Sequence, residues 1–312
     1  MTKVSIIVPV YNASAFIKNC IDSVRSQTMT EGVECILIDD CSTDNTFEEI
    51  QSIINGDVNG NVNISLLRQE RNQGPSAARN RGVREAQGEY VFFLDADDTI
   101  TPDCIELLYE LAKQHDADYV QGKYSNGNVN GNENKLPCCL TNQKEIKRLL
   151  LNHNKIQFTP HNRLVRRQMI IDNNLFFNEE IKVREDFLWM TFVAKYVKRF
   201  ASCDKPTYIR GYNEDSLTNN INKEREIAGY RVLIETMVAN YDKFQLGYQK
   251  ELALEALMMA LKAGYYHDEA ERQHLIDVVM LKNNFIENIL LKLYLRTYNP
   301  KVLHLLVRRY KR

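Results

Sequence analysis

The sequence predicts an α/β fold in which a mostly parallel sheet is flanked by helices. Over the first hundred residues, short apolar runs alternate with segments of helical periodicity, in the order strand, helix, strand, helix, strand, helix, strand. The connections between them are short, which favours parallel strands joined by crossover helices. From residue 221 onward the pattern is helical nearly throughout, so a helical C-terminal region is expected to follow the sheet.

Each element of this alternation has its own signal. Apolar, β-branched runs predict buried strands at 4–10, 33–38, 63–67 and 90–94, with a further strand at 118–123. Apolar residues at helical spacing predict a helix over 16–24, and others are expected over 44–54, 75–86 and 102–114. Asn55 and Gly56 end the second of these helices, and Pro75 suits the first turn of the third.

Composition excludes several classes of protein. The chain has 312 residues and a formal net charge of −1, whereas a nucleic-acid binder is usually clearly basic. No apolar run approaches the roughly 18 residues of a membrane span, and the N-terminus lacks the pattern of an export signal. The seven cysteines are scattered without a Cys-x-x-Cys pair, so neither a disulfide framework nor a zinc site is expected. These features predict a cytoplasmic location.

Polar residues follow three of the predicted strands. Tyr11 and Asn12 come after the first strand, Asp39 and Asp40 after the second, and the fourth is followed by the acidic segment 95–98. In parallel sheets with helices on both faces, ligands bind at the carboxyl ends of the strands. A binding crevice is therefore expected at this edge.

Two carboxylates in the acidic segment suit a metal ion. Asp95 and Asp97 are two residues apart, so an extended backbone points both to the same side. Hard oxygen ligands of this kind favour Mg²⁺ or Mn²⁺ carried by a diphosphate. The alternatives are a solvated acidic loop or a cap for the helix at 102–114.

Two further side chains are candidates for nucleotide binding. Asp40 faces the expected crevice and can accept a hydrogen bond from the ring N–H of a pyrimidine, whereas Asp44 is expected to cap the next helix. Gly74 begins a turn into a helix whose N-terminus favours anions. Arg79 lies about one turn into that helix and can reach a ribose or a phosphate, and a surface salt bridge is its alternative.

The segments 4–12, 39–46, 72–80 and 95–98, taken together, resemble family 2 glycosyltransferases of the GT-A type over residues 1–124. The resemblance implies an inverting transferase that moves a sugar from a nucleotide-diphospho-sugar, most often a UDP-sugar, with Mn²⁺ or Mg²⁺. It implies a glycan or lipid-linked acceptor and a role in surface polysaccharide synthesis. One departure from the family pattern is Cys41, where the family usually has glycine; a side chain is tolerable there unless the position needs a positive φ.

The resemblance also implies roles for individual residues. Pro9, Tyr11 and Asp40 are expected to contact the base of the donor. Asp95 is expected to contact the ribose or the metal, and Asp97 to hold the metal on the diphosphate. Asn12 and Arg79 are the other residues expected to bind the donor. Inversion by direct displacement needs a base for the acceptor hydroxyl. The segment 183–189 resembles the family's Glu-Asp motif at the start of a helix, and it assigns this role to Asp186.

Two other segments depart from the family pattern. In 160–167, His161 stands where the family has tryptophan; it is either an acceptor contact or a packing substitute, and packing is favoured. In 208–216, Tyr212 or Asn213 stands where a histidine often occurs, so no metal role is carried over. Arg210 and Ser216 remain candidates for contact with the diphosphate.

The chain is expected to divide into a nucleotide-sugar-binding half at 1–124, an acceptor-binding and catalytic half at 125–217, and a helical region at 218–312. After Glu287 there are seven lysines and arginines and no acid. This tail is either a solvated basic helix packed on the core, or a peripheral contact of 288–312 with the anionic inner face of a membrane.

Two rival functions are open. In a haloacid-dehalogenase-type phosphatase, Asp95 would be the nucleophile, but that motif normally lies on the first strand, and Asp98 stands at its usual glycine position. The other rival is a catalytically inactive scaffold that binds a nucleotide-sugar. Asp97 and Asp186 argue against inactivity, because both are present.

Overall fold

The structure is a computed structural model that describes residues 1–56, 62–125, 136–151, 156–181 and 184–213, and three single positions at 229, 232 and 236. The chain forms two compact units, one of residues 1–179 and 185–220 and the other of residues 180–184 and 221–312. The predicted division at 124 and 217 stays a prediction. The expected C-terminal helices and the basic tail at 288–312 lie outside the described residues.

The first half of the sheet is parallel. It consists of β1 (Val4–Val10), β2 (Val33–Asp39), β3 (Asn63–Arg68) and β4 (Tyr90–Phe93), arranged in the order β3-β2-β1-β4. All three pairs in this order are parallel. The predicted strands are confirmed to within one residue at each end, because continuous apolar runs leave little ambiguity about which residues are buried.

Three helices connect these strands: α1 (Ile17–Arg25), α2 (Thr46–Gly56) and α3 (Pro75–Glu85). Asp44 precedes α2 and its Oδ1 accepts a hydrogen bond from the Thr46 amide at 3.0 Å, which confirms its capping role. Helix α3 packs closely on β1, since a Cβ added at Gly82 would lie 2.3 Å from Cγ2 of Ile7. This close approach seats α3 directly against β1.

The second half of the sheet is mixed. Its elements are β5 (Thr99–Ile100), α4 (Cys104–Gln114), β6 (Tyr119–Tyr124), β7 (Cys139–Leu140), α5 (Gln143–Leu150), β8 (Arg163–Arg166), α6 (Arg167–Asp172), α7 (Glu185–Tyr196) and β9 (Phe200–Ile209). Strand β8 lies between β4 and β6 and is antiparallel to both, so β6 is parallel to β4. Strand β9 is parallel to β6 and antiparallel to β5 and β7. The α/β class is confirmed, with antiparallel pairing confined to this half.

An aromatic cluster holds α7 against the sheet. The ring of Trp189 is perpendicular to that of Phe93 on β4, with centroids 5.7 Å apart, and it stacks on Phe177 at 4.7 Å. Its indole N–H donates to the carbonyl of Leu175 at 2.9 Å, so the buried polar atom is paired. The first turn of α7 is thereby held beside the end of β4.

Within the described ranges, no helix is both long enough and apolar enough to cross a bilayer.

Candidate active site

The loops after β1 and β2 are joined by hydrogen bonds. Oδ1 of Asn12 accepts from the amide of Thr43 at 2.8 Å, and the Asn12 amide donates to Oγ of Ser42 at 3.0 Å. Asn12 has φ of +48° and Cys41 has φ of +61°. Asparagine tolerates this left-handed conformation, whereas cysteine is strained in it. The position of Cys41 therefore does need a positive φ, and the family's glycine is the unstrained choice.

The residues expected to contact the nucleotide base lie at the ends of β1 and β2. Pro9 at the end of β1 is half-buried, and Tyr11 is 46% exposed. The position of Tyr11 leaves its ring available to a ligand. Base contacts by Pro9 and Tyr11, and a donor contact by Asn12, stay predictions.

Asp40 is buried and has three protein donors. Its carboxylate accepts from Nε2 of Gln69 at 2.5 Å and from the backbone amides of Gln73 at 2.8 Å and Gly74 at 2.6 Å. Burial raises the pKa of Asp40, and these donors partly oppose that rise. Asp40 thus fixes the turn into α3, where Gly74 has φ of +94°. Contact of Asp40 with a pyrimidine stays a prediction.

Arg79 links parts of the chain that are far apart in sequence. Its Nη2 lies 3.1 Å from Oδ1 of Asp95, and its Nη1 lies 3.4 Å from Oε1 of Glu185. Its side chain is only 8% exposed, so the alternative of a surface salt bridge is wrong. Burial works to lower the pKa of Arg79, but the charges of Asp95 and Glu185 outweigh it and raise that pKa.

His161, expected to be either an acceptor contact or a packing residue, lies beside Asp95, a contact that the sequence did not indicate. Its Nδ1 is 2.9 Å from Oδ2 of Asp95, although its N–H direction misses the geometry of a hydrogen bond. Its ring stacks on Tyr208 with centroids 4.9 Å apart, so it packs as expected and also contacts an acidic site residue. Arg210 places Nη2 3.2 Å from Nε2 of His161. Because a guanidinium only donates, Nε2 is the acceptor and Nδ1 carries the proton.

Of the two side chains that contact Asp95, Arg79 is charged and His161 is neutral. Burial lowers the pKa of His161, with help from the nearby Arg210 and Arg163 and against Asp95, so the imidazole is neutral at pH 7. Burial works to raise the pKa of Asp95, but contact with His161 and Arg79 holds it below its usual range. Since His161 is neutral, Arg79 is the permanent positive charge that keeps Asp95 ionised.

Asp98 is a second acidic group in the same loop. Its Oδ2 accepts from the hydroxyl of Tyr208 at 2.6 Å, and its Oδ1 accepts from the amide of Gly211 at 2.8 Å. Burial, followed by the negative charge of Asp95, raises the pKa of Asp98 to about 7. The acidic segment does not cap α4, because that helix begins at Cys104 after Asp103. Part of the rise in the pKa of Asp98 therefore reflects negative charge close to it, and the larger part reflects its burial.

The side chains around Asp95 fit a divalent cation. Asp95, Asp98 and His161 each offer a ligand atom, and these atoms lie within 4.8 Å of one another. The two carboxylates suit Mn²⁺ or Mg²⁺, and their negative charge favours a cation. His161 would become a ligand only after Nδ1, the nitrogen that faces Asp95, loses its proton. Asp97 lies outside this cluster, and its Oδ2 accepts from Nδ2 of Asn213 at 3.0 Å. Asp97 as a metal ligand stays a prediction.

Asp186 and Glu185 form the first turn of α7. Glu185 is paired with Arg79, and Oδ1 of Asp186 accepts from the amide of Phe187 at 2.7 Å. Both side chains are half-buried. The two adjacent acids therefore have different partners, and the catalytic role of Asp186 stays a prediction.

The segment after β9 closes another side of the site. Arg210 donates to Oε1 of Gln157 at 2.9 Å, and Tyr212 is 81% exposed. Of the two residues at the family's histidine position, Asn213 is therefore the one that contacts an acidic site residue. Ser216 lies outside the described residues, and a diphosphate contact of Arg210 stays a prediction.

Comparison with known proteins identifies the class of this site. Residues 5–173 match the family described as Glycosyl transferase family 2. The chain is 37% identical over 199 residues to an uncharacterized glycosyltransferase of Haemophilus influenzae, which covers 64% of this chain and 74% of that relative. The chain is thus a glycosyltransferase, and it belongs to glycosyl transferase family 2. These matches lend no support to the phosphatase alternative.

Other similar proteins are named for a particular activity. The chain is 32% identical over 210 residues to a poly(ribitol-phosphate) beta-glucosyltransferase of Bacillus spizizenii, covering 62% of this chain and 32% of that protein. It thus spans about a third of the length of this relative. The crystal structure of Staphylococcus aureus TarS 1-349 in complex with UDP-GlcNAc matches with a TM-score of 0.68 at 22% identity, over 89% of this chain and 79% of that one. This likeness shows that the fold is the GT-A type.

Proposed function

We propose that this glycosyltransferase transfers a sugar, with inversion at C1, from a UDP-sugar to a hydroxyl of a glycan or lipid-linked acceptor during synthesis of a surface polymer. The observation that carries the proposal is the position of Arg79 between Asp95 and Glu185. It brings the acidic segment expected at the donor and the motif expected at the acceptor into one site. Direct displacement needs both in reach of the same C1 atom.

The assignment of the donor rests on the residues around Asp40. Pro9, Tyr11 and Asn12 line the end of β1, and Asp40 lies at the end of the adjacent β2. Oδ2 of Asp40 accepts one protein hydrogen bond, and a carboxylate oxygen has room for a second. That second bond is proposed to come from the uracil ring N–H. The solved TarS structures with UDP and UDP-GlcNAc share this fold, which supports a uridine donor.

A divalent cation is proposed to be held by Asp95 and Asp97, with Asp98 and His161 beside them. When bound, it would supply positive charge to the diphosphate as that group departs. A similar fold, at 16% identity and a TM-score of 0.56, occurs in a mannosyltransferase of Pyrobaculum calidifontis in complex with GDP-Man and Mn²⁺. Arg79 holds Asp95 ionised in advance, so the ligand is already in its binding form.

The chemical step is assigned to Asp186. Its carboxylate takes the proton of the acceptor hydroxyl as the bond from that oxygen to sugar C1 forms and the bond from C1 to the β-phosphate oxygen breaks. The electron pair leaves with UDP. Glu185 takes no part in the proton transfer, because its carboxylate pairs with Arg79. Its proposed role is to hold the first turn of α7 in place.

The acceptor is proposed to be a hydroxyl of a surface polymer or of its lipid-linked precursor. The support comes from relatives named for poly(ribitol-phosphate), one from Bacillus spizizenii and one, TarS, from Staphylococcus aureus at 29% identity over 191 residues. The chain spans 32% of each of these proteins.

The test is direct. The purified chain is incubated with Mn²⁺ and with UDP-Glc, UDP-GlcNAc or GDP-Man, and release of nucleoside diphosphate is measured with and without poly(ribitol-phosphate) or a short glycan. Release that depends on a UDP-sugar and on the acceptor supports the proposal. Preference for GDP-Man would overturn the uridine assignment, and phosphate release from simple phosphomonoesters would restore the phosphatase.

A further inference from the structure

A cluster of soft metal ligands lies outside the candidate active site. His115, Cys138 and Cys139 each offer one ligand atom, and these atoms lie within 4.8 Å of one another. Sγ of Cys138 is 4.0 Å from Nε2 of His115. The two cysteines are exposed and the histidine is half-buried, so a dissolved ion can reach the cluster.

The backbone that carries these side chains is fixed on both sides. His115 directly follows the last residue of α4, and its amide donates to the carbonyl of Leu111 at 3.1 Å. Cys139 pairs with Ala201 in the ladder between β7 and β9, and the carbonyl of Cys138 accepts from the amide of Ser202 at 3.0 Å. The ligands thus come from a helix end and a sheet edge, which lowers the entropic cost of gathering them around an ion.

The distances are close to those of a tetrahedral zinc site. With Zn–S of about 2.3 Å and Zn–N of about 2.0 Å, tetrahedral geometry separates sulfur and nitrogen by about 3.5 Å. The observed 4.0 Å is longer by about half an ångström, a difference that side-chain rotation can remove. We propose that His115, Cys138 and Cys139 bind Zn²⁺ through two thiolates and one imidazole nitrogen, with a water molecule in the fourth position.

The other cysteines make poor competitors for the ion. Four of them are buried, and burial raises the pKa of Cys35 to about 12, which disfavours its thiolate form. Asp116 follows His115 directly, but its carboxylate lies 2.7 Å from both Arg166 and Arg199. It is therefore engaged by two arginines. Two thiolates then balance the charge of the cation without it.

The proposed zinc site and the candidate active site lie at opposite ends of the strands. His115 precedes β6, and β6 runs parallel to β4 because both are antiparallel to β8. The cluster therefore lies at the amino ends of these strands, whereas Asp95 lies at the carboxyl end of β4. The water would leave this zinc open to a further ligand, but because the cluster lies away from Asp95 the ion is expected to tie β7 to the end of α4 rather than to act on the donor sugar.

Cobalt provides the test, because Co²⁺ bound to a thiolate has a sulfur-to-metal charge-transfer band that oxygen and nitrogen ligands do not produce. The full-length chain is reduced with a phosphine, stripped of metal and titrated with Co²⁺ and then with Zn²⁺. We expect a band that saturates at one equivalent and is removed by one equivalent of Zn²⁺. Binding at Asp95 would be silent in this measurement.

Variants and labelling make the test specific. Cys138→Ser and His115→Gln should lose most of the band, whereas Cys41→Ser, which removes a thiol elsewhere, should retain it. In the unaltered chain, Zn²⁺ should slow alkylation of Cys138 and Cys139 at least severalfold, as read by mass spectrometry. A chain without the band, or a band that survives Cys138→Ser, would overturn the proposal, as would unchanged alkylation.

Discussion

Nη2 of Arg79 lies 3.1 Å from Oδ1 of Asp95, and both side chains are largely shielded from water. The same guanidinium reaches Glu185 at 3.4 Å with its other nitrogen. A buried arginine between two acids balances their negative charge. It also holds the end of β4 and the start of α7 at a fixed separation, and these two segments carry the proposed metal ligands and the proposed base.

Replacement of Arg79 should therefore destabilise the fold. Arg79→Gln leaves Asp95 and Glu185 in a buried site without their cation, and breaking a buried pair in this way costs about 3–5 kcal/mol. Urea unfolding followed by circular dichroism measures the change. Arg84→Gln is the matched control, because Arg84 lies on the same helix but is exposed, and it should change stability by less than about 1 kcal/mol. Similar losses in both variants would contradict a special role for Arg79.

Replacement of Cys41 by glycine should instead stabilise the fold. A non-glycine residue in the left-handed region costs about 1–2 kcal/mol, and glycine loses about 0.5–1 kcal/mol through its greater freedom in the unfolded chain. With φ of +61° at this position, Cys41→Gly should raise the free energy of unfolding by up to about 1 kcal/mol. Cys41→Ala keeps the Cβ and removes the thiol, so it should give no gain in the same urea titration.

The first half of the sheet was predictable because each of its elements has a local sequence signal. Strands β1 to β4 are continuous apolar runs, and Asp44 caps α2 by a local bond. His161 could not be placed in this way. Its contact with Asp95 arises because β8 lies beside β4, and the short strand Arg163–Arg166 carries no signal of that partner. The positive φ of Cys41 was likewise hidden, because a turn between two loops imposes it.

The nucleotide assignment is tested at Asp40. Asp40→Ala removes the proposed acceptor for the uracil N–H and also leaves the amides of Gln73 and Gly74 without their partner. We expect affinity for UDP with Mn²⁺ to fall by about 1–3 kcal/mol in calorimetry. Asp44→Ala, which removes a neighbouring helix cap, should leave UDP affinity unchanged although it lowers stability by about 1 kcal/mol. Equal UDP binding by wild type and Asp40→Ala would exclude the assignment.

The metal is tested at Asp97. If Asp95 and Asp97 hold the cation on the diphosphate, EDTA should abolish sugar transfer, and added Mn²⁺ should restore it. Asp97→Asn keeps the size of the side chain, yet it should lose most of the Mn²⁺-dependent gain in UDP affinity, because the neutral amide is a weaker ligand. Asp103→Asn changes the net charge equally at a position before α4 and should bind as wild type does. Full transfer in the presence of EDTA would remove the metal from the mechanism.

The final prediction concerns the base. A sugar hydroxyl is barely ionised at neutral pH, and a carboxylate in hydrogen-bonding reach removes its proton as the new bond forms, which typically contributes about 10²–10⁴ in rate. Glu185 and Asp186 are adjacent on a helix and point about 100° apart, so one of them can face the acceptor. The family motif assigns the role to Asp186, and the pairing of Glu185 with Arg79 disfavours Glu185 as the base. Asp186→Asn should lower kcat to about 1% of the wild-type value or less. Its affinities for the UDP-sugar and for Mn²⁺ should stay within about twofold of wild type.

Glu185→Gln is the matched control because it neutralises the neighbouring acid. It weakens the pair with Arg79, so its main effect should be lower stability, with a milder loss of kcat than in Asp186→Asn. Single-turnover measurements with saturating donor separate the two cases, since a positioning effect changes substrate binding and stability whereas loss of the base slows the chemical step alone. Near-normal turnover in Asp186→Asn together with a large loss in Glu185→Gln would transfer the role of base to Glu185, and the pair with Arg79 would then have to open during catalysis.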